Sequence, residues 1–216
     1  MSEIHSLVVV GSSATGKTTL IEGLRAGAYT ERVVVPRRYY TRAVRPDDGL
    51  DQLGRLSPEQ FQQRVSAGRI YPHWTRKFEP QRTERYGFEA IDRRDRRLKI
   101  YAANNAFMRN SNASVSATLT QALVVGVSAD HQVREARLNR KAMPDIERQL
   151  RLADDGADIP GMPNIHAIID TTYLAPDEGE AILRRIVDQI LDEIVGSESV
   201  APAGEVAAWI TEHPLA

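Results

Sequence analysis

Leu7-Val8-Val9-Val10-Gly11-Ser12-Ser13-Ala14-Thr15-Gly16-Lys17-Thr18 is the stretch that decides the fold. A short β-branched run that ends at a glycine is typical of a buried parallel strand. Gly11–Thr18 then fits G-x-x-x-x-G-K-[ST], and Lys17–Arg25 reads as a helix that stops near Gly27. Strand, glycine-rich turn and helix in this order make a phosphate cradle. The glycines let the backbone wrap close to phosphate oxygens, and successive N–H groups point at the anion. The expected cradle is Gly11, Ser12, Ser13, Ala14, Thr15, Gly16, Lys17, Thr18 and Thr19. Lys17 is the expected catalytic charge on the β- and γ-phosphates, and the Thr18 hydroxyl is the expected metal ligand. ATP and Mg²⁺ are the cofactors this pattern implies.

Outward from the loop, strands and helices alternate. Val33–Val35, Leu98–Ala103, Ala122–Val127 and Asn164–Ile169 read as further strands. Ser57, Pro58 and Glu59 open a helix that closes at Gly68, with Phe61 and Val65 as its apolar pair. Asp130–Lys141 and Asp145–Ala153 read as polar helices. Glu178–Val195 reads as a long amphipathic one, with Ile182, Ile186, Ile190 and Ile194 facing the core. Alternation of this kind predicts a three-layer α/β fold around a parallel sheet. Asn104–Gln121 is too polar to assign, and Gly196–Gly204 reads as a linker. The expected organisation is one domain over 1–196, with an acceptor-binding insertion at about 37–90 and an arginine lid at about 134–147, followed by a linker and tail over 197–216.

Composition narrows the function classes. A chain of 216 residues with 42 % apolar content can bury a core. A net charge of −1 hides arginine density from Arg32 to Arg109 and acid from Asp154 onward, which suits a local anion site more than a nucleic-acid coat. The absence of cysteine excludes disulfides and thiolate metal sites. No run approaches the roughly 20 apolar residues of a membrane span, and no signal-type segment stands at the start. The expectation is a cytoplasmic monomer or homodimer that takes a small phosphorylated substrate, with no nucleic-acid or membrane partner.

The acceptor side is read from Tyr39-Tyr40-Thr41-Arg42-Ala43-Val44-Arg45-Pro46. Arg42 and Arg45 put two guanidinium forks on one loop, which suits a phosphate monoester. Tyr86 beside Gly87 offers a phenol that could cap the same phosphate. With the phosphate loop, this order resembles the guanylate kinase family: Thr41-Arg42-Ala43-Val44-Arg45-Pro46, then Ser57-Pro58-Glu59-Gln60-Phe61, Gly68, Trp74 and Tyr86-Gly87. Val133–Arg140 resembles the family's arginine-rich lid, and Asp145–Leu150 the helix after it. The resemblance implies a kinase whose lid residues Arg137 and Arg140 neutralise the phosphoryl group in flight. Arg134 shares their spacing; a solvated helix face is the competing reading of all three.

The departures from that family bear on the acceptor. Its members read guanine with a Glu before the Trp and an Asp near the end of the third strand. Here His73 precedes Trp74, and the strand runs into Ala102-Ala103-Asn104-Asn105. Arg38 replaces a Ser, the Trp74–Tyr86 stretch is long, and Lys77, Arg82 and Arg85 add charge to it. A guanine edge without carboxylate acceptors loses about 1–3 kcal/mol per group. The ribose 1,5-bisphosphate phosphokinase branch, which makes phosphoribosyl pyrophosphate, also lacks those acids and resembles this chain as well. His73 and Asn104 join Arg42, Arg45 and Tyr86 as expected acceptor residues. The rivals are guanylate kinase activity, a kinase for another phosphorylated metabolite, and a non-catalytic guanylate kinase-like binding module. The scattered histidines have no metal-ligand spacing.

Overall fold

The computed structural model describes residues 5–25, 27–43, 53–79, 82–92, 94–110, 112–141, 143–153 and 164–196. Arg45 and the expected linker and tail lie outside these residues. The elements in chain order are β1 (Ser6–Val10), α1 (Lys17–Glu22), β2 (Val33–Val34), β3 (Arg38–Tyr40), β4 (Leu53–Arg55), α2 (Pro58–Ser66), β5 (Ile70–Glu79), β6 (Arg82–Glu89), β7 (Leu98–Ala103), α3 (Asn105–Met108), α4 (Ala113–Thr120), β8 (Ala122–Ser128), α5 (His131–Asn139), α6 (Asp145–Ala153), β9 (Ala167–Asp170) and α7 (Pro176–Gly196).

A five-stranded sheet in the order β2-β7-β1-β8-β9 forms the centre, and its paired strands are all parallel. Its central strands β1 and β8 are apolar on both faces because both faces are covered, while the edge strand β9 alternates buried and exposed residues. Leu7, Val9, Ile100, Leu123 and Val125 meet Leu20 and Ile21 of α1 and Leu183, Ile186, Val187 and Ile190 of α7. On the other face, Val8, Val10, Tyr101, Ala103 and Val124 pack against Phe107 of α3, Val115 of α4 and the aromatics Tyr40, Trp74, Tyr86 and Phe88.

Those aromatics belong to a second sheet, in the order β4-β3-β6-β5, which alternation in the sequence does not announce. β5 and β6 are an antiparallel pair with Trp74 opposite Tyr86, Arg76 opposite Glu84 and His73 opposite Gly87. Side chains alternate across a strand. Trp74, Arg76, Glu84 and Tyr86 therefore share the inner face, and His73 and Arg85 leave by the outer one. Helix α2 covers the outer face. Phe61 of α2 packs with Tyr39 and Ile70, and a Cβ on Gly87 would meet Ile70, His73 and Phe61. Ser57 starts α2 with a complete capping box and Pro58 behind it, as the sequence predicts.

The polar stretch Asn104–Gln121 forms two short helices. Asn104 caps α3 through the Phe107 N–H, and Asn112 caps α4 through the Ser114 N–H. Among the described residues no helix is long and apolar enough to cross a membrane.

Candidate active site

At the end of β1 the chain leaves the sheet so close to β8 that a Cβ on Gly11 would lie 2.3 Å from the Val127 carbonyl oxygen. Ala14 (φ 63°) and Gly16 (φ 93°) then take left-handed conformations that curl the loop. This is an uncommon backbone for an alanine, and such outliers cluster at ligand clamps.

Each carbonyl from Gly11 to Thr15 accepts a hydrogen bond from a side chain. Lys17 Nζ donates to Gly11 O at 2.6 Å and to Ser12 O at 2.5 Å. Arg134 Nε donates to Ser13 O at 3.0 Å, and Arg137 Nη1 to Ala14 O at 3.2 Å. Thr171 Oγ1 donates to Thr15 O at 2.8 Å. Arg137 is itself anchored on Thr171, with Nη2 donating to its carbonyl at 2.7 Å. Holding the carbonyls fixes the peptide planes, and with them the directions of the N–H groups that an anion nest uses. A cleft of about 460 Å³ opens beside the loop, lined by Lys17, Thr18, Thr19, Arg137, Arg140 and Thr171 among others.

The three spaced arginines of α5 are thus not equivalent. Arg134, which the family resemblance did not select, is buried against the loop. Arg137 joins the loop to Thr171 at the end of β9, and Arg140 stands exposed at the C-terminal end of α5, on the cleft. The signal for Arg134 was its place three residues before Arg137, the same spacing that a solvated face would show.

On the second sheet, Arg42 is buried with its guanidinium carbon 4.3 Å from the Tyr40 ring centroid, and its Nη1 donates to Ala43 O at 2.8 Å. Tyr86 stacks on Trp74 with ring centroids 5.5 Å apart. Its hydroxyl donates to Glu84 Oε2. Burial, with help from Glu84, pushes the Tyr86 phenol up to about 12, against the opposing charges of Arg42 and Arg76. The phenol is therefore protonated at neutral pH. Arg76 and Glu84 were not singled out in the sequence, and both are buried.

His73 lies apart from this set. Its Nδ1 is 3.3 Å from Asn112 Nδ2, and Ser114 Oγ accepts from its backbone N–H at 3.2 Å. Burial, then the nearby Arg85, hold its pKa below the ordinary histidine value, so it is neutral at pH 7. Arg85 is on that outer face too, and Lys77 is exposed. The side chain of Arg82 lies outside the described residues, and among the described ones Arg76 adds positive charge to the inner face. Asn104 does face the inner set, but as a structural acceptor: its Oδ1 takes the Trp74 Nε1–H and the Phe107 N–H, each at 3.2 Å.

The next residue reaches the phosphate loop, since Asn105 Nδ2 donates to Ser12 Oγ at 2.9 Å. The turn after β7 therefore ties the loop to the second sheet through two adjacent asparagines. The loop fits a triphosphate by its curled backbone and anchored carbonyls, and the exposed Thr18 stands where a metal-ligating hydroxyl belongs. Among the described residues no cluster of three His, Asp or Glu offers a separate metal cage.

No protein-family profile matches the chain. It is 30 % identical over 158 residues to a bifunctional ribose 1,5-bisphosphokinase-thymidine phosphorylase of Roseobacter denitrificans, which covers 71 % of this chain. The chain spans only 22 % of the length of that relative. Among solved structures, guanylate kinase from Anaplasma phagocytophilum superimposes with a TM-score of 0.54 at 14 % identity, over 88 % of this chain and 87 % of that one. A sugar kinase from a Janibacter species matches with a TM-score of 0.39 at 15 % identity, over 86 % and 95 % of the two chains. A curled loop at the end of a central parallel strand, a five-stranded parallel sheet, and the Anaplasma superposition across most of both chains give the protein the guanylate kinase-like P-loop fold.

Proposed function

We propose that the protein is an ATP-dependent kinase that transfers the γ-phosphoryl group to a small phosphorylated acceptor, a sugar phosphate such as ribose 1,5-bisphosphate. The observation that carries this reading is the pairing of two cationic sites across one turn. The phosphate loop with Lys17, Arg134 and Arg137 is joined through Asn105 and Asn104 to the buried set around Arg42, Arg76 and Tyr86. A binding scaffold has no use for a phosphate cradle. The name of the Roseobacter relative includes a ribose 1,5-bisphosphokinase, and the kinase fold of this chain supports matching it to that half of the name.

In this reading the chain's residues position and neutralise. The loop N–H groups and Lys17 bind the β- and γ-phosphates, with Arg137 and Arg140 at the cleft to offset charge on the transferring group. Thr18 would hold Mg²⁺, which spreads the charge of the triphosphate oxygens. Arg42 and Arg76 hold the acceptor phosphate. A phosphate acceptor needs no general base, because its attacking oxygen is already anionic at neutral pH.

Guanylate kinase activity is the second reading, favoured by the fold of the Anaplasma enzyme. GMP is expected to be the poorer acceptor. His73 is neutral on the far face and Asn104 is engaged as a cap, so neither offers a carboxylate to the guanine edge. A site that cannot pair a polar edge discriminates against it strongly. The test is ADP release with ribose 1,5-bisphosphate, other sugar phosphates and nucleoside monophosphates; GMP turning over faster than every sugar phosphate would reverse the assignment.

Arg134 supplies a test of the loop itself. Arg134→Gln should weaken ATP binding by about tenfold, from loss of one charge-assisted hydrogen bond of about 1.5–3 kcal/mol at Ser13 O. Acceptor affinity should stay near its original value. Titration of ATP and acceptor against the variant checks this, and unchanged ATP binding would remove Arg134 from the loop's support.

A further inference from the structure

Glu84 stands out on the inner face of the second sheet because it is a carboxylate with 2 % exposure in a region built for anions. Burying a charge is costly unless it is paired and hydrogen-bonded. Its register partner is Arg76, directly opposite on the same face and itself buried. Side chains so placed on an antiparallel pair lie close enough to interact. Two residues along the strand, the Tyr86 hydroxyl donates to Glu84 Oε2.

That single contact changes what Tyr86 can do. A phenol has one proton to give, and here Glu84 takes it. Among the described residues the Tyr86 hydroxyl makes no other hydrogen bond. A Tyr that caps a phosphate must donate to it, since phosphate oxygens accept. Tyr86 instead offers oxygen lone pairs to whatever enters. Its neighbours divide the labour: Arg42 and Arg76 can hold a phosphate, and the Tyr86–Glu84 pair can hold a donor such as a hydroxyl. Among the described residues the charges acting on the Tyr86 hydroxyl are the two guanidiniums Arg42 and Arg76 and the one carboxylate Glu84, a local excess of positive charge that suits a phosphate monoester beside a neutral hydroxyl-bearing group.

On the acceptor reading under Proposed function, we propose that Glu84 is a specificity-determining residue: through Tyr86 it selects acceptors that carry a hydroxyl group next to the phosphate held by Arg42 and Arg76. It supplies, from β6, an acceptor function that the positions around Trp74 lack. As it acts through Tyr86, it is a positioning residue.

The test compares binding of inorganic phosphate, ribose 1-phosphate and 2-deoxyribose 1-phosphate, whose 2-position is next to the phosphate-bearing carbon, to the wild type, Glu84→Gln and Tyr86→Phe, by calorimetry or thermal shift. The wild type should bind ribose 1-phosphate more tightly than inorganic phosphate. In Glu84→Gln that preference should fall by about tenfold, as for one lost hydrogen bond of about 1.4 kcal/mol. Phosphate itself should bind as well or better, because a negative charge beside the arginines is gone. A merely structural Glu84 would weaken phosphate and sugar phosphate alike, and that result overturns the proposal. So does a wild type with no preference for the sugar phosphate, or a Glu84→Gln protein that keeps it. Tyr86→Phe leaves the carboxylate in place, removes only the hydroxyl and should lose the same preference, which decides the matter if Glu84→Gln does not fold. The 2-deoxy compound shows whether the 2-hydroxyl is the group selected. These are binding measurements. A failure to phosphorylate ribose 1,5-bisphosphate would therefore count against the proposed kinase substrate, while the role of Glu84 is decided by the binding preferences alone.

Discussion

Lys17→Ala is expected to lower phosphoryl transfer by on the order of 10²–10³ at saturating ATP and acceptor, with the fold retained. In the proposed mechanism Lys17 is the cation at the transferring group, and such preorganised charge stabilises the transition state more than the ground state. In the structure its ammonium is turned onto Gly11 O and Ser12 O. The substitution therefore also removes the ammonium's hydrogen bonds to the loop, a longer one to Thr15 Oγ1 included. A typical hydrogen bond contributes only about 0.5–1.5 kcal/mol net, and Lys17 is partly exposed, so water replaces part of what is lost. The rate effect corresponds to about 2.7–4 kcal/mol and should outweigh the change in stability. Turnover measured beside a thermal melt separates the two. A folded Lys17→Ala protein that works at the original rate would remove the phosphate loop from the mechanism.

Arg42→Ala should raise the acceptor KM about ten- to hundredfold while ATP affinity stays within a few-fold of the wild type. The side chain is buried, lies over the Tyr40 ring and belongs to the inner face of the second sheet, not to the phosphate loop. Each charge-assisted hydrogen bond lost costs about 1.5–3 kcal/mol, and every 1.4 kcal/mol is about tenfold. Arg42→Lys should rescue only partly. An ammonium is a point charge that cannot form the planar fork, and it does not stack on Tyr40 as a guanidinium does. Arg45→Ala carries the same expectation from the sequence motif. Acceptor KM, ATP KM and direct ATP binding are the measurements. Collapse of ATP affinity with acceptor binding unchanged would mean that this loop serves the nucleotide.

The sequence by itself determined the features that a chain segment carries alone. Leu7–Thr18 contains strand, glycine and lysine in one run, and the loop lies at the end of a central parallel strand, as that run predicts. Helix α7 shows its core stripe in the spacing of Ile182, Ile186, Ile190 and Ile194; the structure buries Ile186 and Ile190 with Leu183 and Val187 beside them and packs the partly buried Ile182 on the same core, while the Ile194 side chain lies outside the described residues. Ser57-Pro58 starts α2 because a cap is a local hydrogen bond. What only the tertiary structure decided is which side chains from distant segments face one another. Alternation along β5 and β6 says that Trp74 and His73 point to opposite faces, yet not which face meets the central sheet. The pairing of Trp74 with Tyr86 and their packing on Val8 and Val10 put Arg76 and Glu84 inside and His73 and Arg85 outside. Asn104–Gln121 has little apolar periodicity, so its helices depend on the Asn104 and Asn112 caps and on contacts with β5 and β8. Arg134 looks like any arginine on a polar helix until α5 is laid against the loop and its guanidinium meets Ser13 O. Periodicity records the two sides of one element. The meaning of a side is set by what packs against it, and for this site the partners lie up to more than a hundred residues away in sequence, as Arg134 and Ser13 do.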